Sequence, residues 1–119
     1  MSLCLLTAGK TVVLAATTFS LSWTHSVEHT HWEENWRVDQ TGLQIVEARI
    51  KGSGAGMEPP DGSVLKDGWW VYSPKVPALE RLILSSSGAT SAGWKICSAG
   101  SCRIIGAEAS EAIVVEFCD

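Results

Sequence analysis

Apolar and polar residues alternate with period two through much of this chain, most strictly from Phe19 to Val38. Phe19, Leu21, Trp23, His25 and Val27 fall on one face, and Ser20, Ser22, Thr24, Ser26 and Glu28 on the other. After Glu28-His29-Thr30-His31 the apolar face continues through Trp32, Glu34, Trp36 and Val38, against Glu33, Asn35, Arg37 and Asp39. Such alternation marks half-buried antiparallel strands. A hairpin loop over residues 28–31 predicts the cross-strand pairs Val27–Trp32, His25–Glu34, Trp23–Trp36 and Leu21–Val38. On the other face it sets Ser26 opposite Glu33 and Ser22 opposite Arg37. A one-residue slip would turn every tryptophan of the hairpin outward, so the register is strongly specified. The imidazole on the apolar face is therefore expected to meet the carboxylate on that face.

The same reading extends to both ends. Leu3–Leu6 and Thr11–Ala15 predict a first hairpin turning at Ala8-Gly9-Lys10, and Asp39-Gln40-Thr41-Gly42 predicts a turn that uses a positive φ at Gly42. The strand from Leu43 to Ile50 alternates ambiguously: Leu43 and Ile45 favour one face, Val46, Ala48 and Ile50 the other. Coverage on both faces, or a bulge at the turn, would account for that. Residues 51–62, KGSGAGMEPPDG, break all periodicity. Their glycines suit either backbone lying against a ligand or a tight crossover between layers, and their spacing fits neither phosphate-binding fingerprint. Asp67-Gly68 is a turn, and strands are expected over Trp69–Tyr72, Leu79–Leu84, Trp94–Cys97, Cys102–Ile105 and Ile113–Phe117, with one helical turn allowed at 107–112. The expected fold is all-β: one domain over residues 1–119, an antiparallel sandwich or partly open barrel of about 8–10 short strands.

Composition narrows the function. With 119 residues, 45% hydrophobic and 18% charged, the chain supports an ordinary globular core. A net charge of −4 without any basic stripe excludes a nucleic-acid footprint. No apolar run reaches the roughly 20 residues of a membrane-spanning helix. Lys10 interrupts the N-terminal apolar run and no basic region precedes it, so no export signal is read there. Cys97 and Cys102 would face each other across a hairpin, and Cys4 and Cys118 lie on the first and last strands, giving two candidate disulfides. Disulfides imply an oxidising compartment, whereas the missing signal implies the cytosol with free, well-packed thiols; the latter is the expectation here, with the periplasm as the alternative. A zinc site built from all four cysteines lacks any Cys-x-x-Cys spacing.

At this point the residues carry a resemblance. WTHSVEHTHWEENWRV, then GSGAGM, then DGWW are similar, in that order, to the bacterial family of domain of unknown function 1850. Members are often encoded beside tripartite transporters with TAXI-type solute-binding subunits, which implies an accessory role in solute uptake. Carried over by position, the family's histidine falls on His25, its glutamates on Glu28 and Glu34, its Gly-rich motif on Gly54, Ala55, Gly56 and Met57, and its Asp-Gly-Trp on Asp67 to Trp69. His31 stands where many relatives have proline, so it is expected to be solvated, like His29.

Two functions follow as expectations. In the first, the chain is a non-catalytic domain that binds a transporter subunit or small solute through Trp23, Trp36, Trp69, the His25–Glu34 pair, Glu28 and the loop of Gly54, Gly56 and Met57, without cofactor. In the second, it is a small hydrolase or metal-dependent enzyme using His25, Glu34 and Glu28, with Glu47 in reserve. Ser26 falls on the face opposite His25, so no nucleophile completes the second reading.

Overall fold

A computed structural model describes residues 1–24, 30–51, 61–86, 93–108 and 110–118. In chain order the strands are β1 (Ser2–Thr7), β2 (Lys10–Ala15), β3 (Thr18–Thr24), β4 (His31–Asp39), β5 (Gly42–Lys51), β6 (Val64–Lys66), β7 (Trp69–Tyr72), β8 (Arg81–Leu84), β9 (Trp94–Ser98), β10 (Ser101–Ile105) and β11 (Ile113–Cys118). They form two sheets, one of four strands ordered β2-β1-β11-β8 and one of seven ordered β10-β9-β3-β4-β5-β7-β6. Every pairing is antiparallel. The sheets pack face to face as a sandwich, and the seven-stranded sheet does not close into a barrel. The helical turn allowed at 107–112 does not form among the described residues.

Alternation decides which side chains fill the space between the sheets. From the small sheet come Leu3, Leu5, Leu84, Ile113 and Val115; from the large one Phe19, Leu21, Trp36, Val38, Leu43, Ile45, Ala48 and Ile96. Each fully buried aliphatic side chain contributes about 1.5–3 kcal/mol. This set, rather than any polar pair, therefore holds the two layers together.

β5 settles the ambiguous alternation. The β4–β5 register shifts between Asn35 and Trp36: Asn35 lies opposite Glu47 and Trp36 opposite Ile45, so Val46 is the extra residue of a bulge. The bulge sits in mid-strand rather than at the turn. It brings Leu43, Ile45, Ala48 and Ile50 to one face, all at 7% exposure or less, and leaves Val46 half exposed on the other.

The turns follow their residues. Asp67 and Gly68 both have positive φ, as a two-residue hairpin loop requires, and so do Ala99 and Gly100. At the β4–β5 turn the Thr41 backbone N–H donates to Asp39 Oδ1 at 2.8 Å. Gly42 there has φ 121°, and a Cβ on it would lie 2.3 Å from the Leu79 carbonyl oxygen. That closeness is used: Leu43 and Leu79 exchange two backbone hydrogen bonds of 2.8 Å, which ties the β7–β8 connection to the start of β5.

Two expectations are corrected. Trp32 pairs with Trp23 instead of Val27, four residues earlier, and the β3–β4 pairs become Trp23–Trp32, Leu21–Glu34 and Phe19–Trp36, with Ser22 opposite Glu33. The even shift keeps each described residue on its expected face and puts Leu21 opposite Glu34, while His25 and most of the expected loop over residues 28–31 lie outside the described residues. The thiols are not free: Cys4 is bonded to Cys118 and Cys97 to Cys102, with Cα–Cα distances of 5.8 and 4.1 Å. That pairing also removes the four-cysteine zinc site.

Candidate functional site

The expected site residues divide between the two faces of the seven-stranded sheet. Trp23, Glu34 and Trp36 point inward. Trp36 is only 5% exposed and stacks on Phe19 with ring centroids 6.1 Å apart, so it is mainly a core side chain. Trp23 stacks on Trp32 at 6.0 Å and tilts against Trp94 at 4.9 Å, forming an aromatic plug at one end of the sandwich. Trp94 is held by its indole N–H, which donates to the Ser85 carbonyl at 2.9 Å. His25, Glu28, Gly54, Gly56 and Met57 lie outside the described residues.

Glu34 sits in the inner row Ile96–Leu21–Glu34–Ala48–Tyr72. Among the described residues it accepts a hydrogen bond from the Trp36 indole N–H at 3.2 Å. Burial raises its carboxyl above the ordinary value, and the Trp36 bond only partly offsets that. Tyr72, two strands away in the same row, is raised by its own burial and then by the negative charge of Glu34. This pair is a desolvated polar spot in an apolar layer and meets no imidazole in its row.

The outer face of the same end is different. Two adjacent rows cross the strands there: Ile104–Lys95–Ser22–Glu33–Arg49, and Thr24–His31–Lys51–Trp69. Between them runs a groove of about 300 Å³, lined by Ser22, Thr24, His31, Glu33, Trp69 and Lys95 among others. Arg49 Nη2 donates to Glu33 Oε1 at 2.8 Å, and the Arg49 guanidinium carbon lies 5.0 Å from the centre of the Trp69 ring. Lys51 Nζ lies 5.5 Å from the same ring. Cations over an indole face are attracted by its quadrupole, so the ring and the two side chains brace one another. Of the expected site residues, Trp23 and Trp69 line this groove, Trp69 from the outward face of its strand, and His31, expected to be solvated, lines it too. Arg49, Lys51, Glu33 and Lys95 were missed because a charged residue on the polar side of an alternating strand reads as an ordinary solvated one.

Thr24 Oγ1 and His31 Nδ1 are 2.9 Å apart, a hydroxyl beside an imidazole. The rest of a nucleophilic site does not follow. Among the described residues, Glu33 on that face is taken by Arg49, and the strand backbone N–H groups that could stabilise an oxyanion are committed to the sheet ladder. Among the described residues no three His, Cys, Asp or Glu side chains cluster closely enough to hold a metal ion. No helix there is long and apolar enough to cross a membrane. The geometry suits recognition: a shallow, rigid, polar groove with an aromatic wall.

A family model described as Domain of unknown function (DUF1850) matches residues 19–105. The match runs from β3 to β10 and so takes in nearly all of the seven-stranded sheet with its groove, while β1, β2 and β11 fall outside it. No curated protein and no solved structure matches the chain.

Proposed function

The chain belongs to the DUF1850 family, a domain family of unknown function, and from that premise we propose that it is a non-catalytic binding domain whose ligand seats in the outer groove beside Trp69. The observation that carries the reading is a half-buried indole braced by Arg49 and Lys51 at the wall of an open groove on a strand-built floor. Sites on rigid elements hold their geometry without ordering cost, which favours recognition over induced assembly. Two disulfides support placing this work in an oxidising compartment, the periplasm rather than the cytosol. The gene neighbourhood implied by the family resemblance supports a partner there, the solute-binding subunit of a tripartite uptake transporter or its solute.

Intrinsic fluorescence tests the reading. Candidate solutes and the transporter's binding subunit should shift tryptophan emission in the native protein, and Trp69→Phe should remove most of that shift while leaving the melting temperature within a few degrees. A response that persists unchanged in Trp69→Phe would move the site elsewhere, and silence across a broad screen would end the reading.

A further inference from the structure

Charge at the groove does not match charge on the protein. The chain carries a net −4, yet among the described residues the groove and its Trp69 wall gather Lys95, Lys51, Arg49 and the imidazole of His31 against one acid, Glu33. Glu33 and Arg49 cancel each other through their 2.8 Å contact. Lys95 and Lys51 then remain without any ion-pair partner among the described residues. Arg49 Nε is buried and has no hydrogen-bond partner among the described residues, an unmet donor in a groove of donors. His31 spends Nδ1 on Thr24, which leaves Nε2 for another partner. Ser22 adds a hydroxyl.

Resting on the binding reading above, we infer that the groove takes a small organic carboxylate, held by the ammonium group of Lys95 with His31 and Ser22 as hydrogen-bond donors, while Lys51 at the Trp69 wall adds positive charge. The donor set favours a carboxylate over a phosphate. Phosphate sites are built from converging backbone N–H groups at a helix start or a nest, and here the backbone N–H groups under the groove are tied into the strand ladder. Stacking is not the means of recognition, because Arg49 and Lys51 already sit over the Trp69 ring. Trp69 instead holds the cations in place, and it reports on them. The volume, about 300 Å³, is at the lower bound for small-molecule pockets and suits a compact acid.

The test uses the full oxidised chain and calorimetric titration at low ionic strength. Probes are acetate, succinate and benzoate, the neutral amides acetamide, succinamide and benzamide, and inorganic phosphate. At least one carboxylate should bind while its amide does not. Lys95→Gln should weaken that binding about tenfold or more, as loss of a charge-assisted hydrogen bond does, and Lys51→Gln should weaken it by a smaller factor that shrinks with added salt. Arg103→Gln, exposed on β10 and away from the groove, should leave it unchanged. Both lysines are exposed, so these variants keep the fold, and amide-proton spectra verify it. Equal binding of amides, full binding in both lysine variants, or binding of phosphate alone would each overturn the carboxylate assignment. A neutral solute that binds and shifts Trp69 emission when no carboxylate does would overturn this inference and leave the binding domain standing. No response to any solute or to the transporter subunit would remove both.

Discussion

Glu34 carries a cost that a neutral side chain would not. Its carboxyl titrates above the ordinary value of 4.5 because burial disfavours the charged form. The folded protein therefore holds this proton more tightly than the unfolded chain. The resulting contribution is complete below pH 4.5 and is lost as pH rises through the folded-state value. Glu34→Gln, which keeps an acceptor for the Trp36 indole, should melt a few degrees higher than the native protein near pH 7 and at the same temperature near pH 3.5. Thermal melts across that range check it, and a lower melting temperature at neutral pH would mean that the charge itself is held by a favourable partner. That Glu34 would be buried was legible in the alternation, since Trp32 and Trp36 flank it on the same face. Its surroundings were not, because alternation fixes a face and says nothing of which residue stands opposite.

Among the elements, register is where local pattern ran short. β3 ends at Thr24 and β4 begins at His31, and a slide of two residues between paired strands changes which residues stand opposite without changing any face. The turn at Asp67-Gly68 was readable in place, whereas the hairpin between Cys97 and Cys102 is tighter than expected, with only Ala99 and Gly100 between its strands. The three-residue β6 was missed, since Val64, Leu65 and Lys66 are all exposed and an edge strand so short carries no alternation to detect. The bulge in β5 was half legible: the clash between Leu43–Ile45 and Ala48–Ile50 demanded some irregularity, and only the β4 register placed it at Val46. Deleting Val46 should push one of these pairs out of the core. At about 1.5–3 kcal/mol for each large aliphatic side chain exposed, the loss is on the order of 3–5 kcal/mol, read as a lower urea midpoint. Val46→Thr, which keeps the bulge and changes only an exposed side chain, should stay within about 0.5 kcal/mol of the native protein.

The whole molecule is stapled twice, and unequally. Cys4–Cys118 spans a sequence separation of 114 and Cys97–Cys102 one of 5. In the chain-entropy account, closing the long loop stabilises by about 4–5 kcal/mol and the short one by about 2. Replacing Cys4 and Cys118 by serine should thus lower stability roughly twice as far as replacing Cys97 and Cys102, and chemical denaturation of the two double variants compares them directly. Equal losses would locate the effect in local packing. The long link matters for the groove as well, because it fastens β1 to β11 in the sheet that backs the groove-bearing layer.

That fastening also decides how the domain bears tension. A pull applied between the first and last residues reaches Cys4 and Cys118 and travels across one sulfur–sulfur bond, so the strands enclosed between them carry none of the load. Once that bond is cleaved, the same pull shears β1 against β11 directly, and a protein that had been inextensible from its ends becomes one that can be unravelled from them.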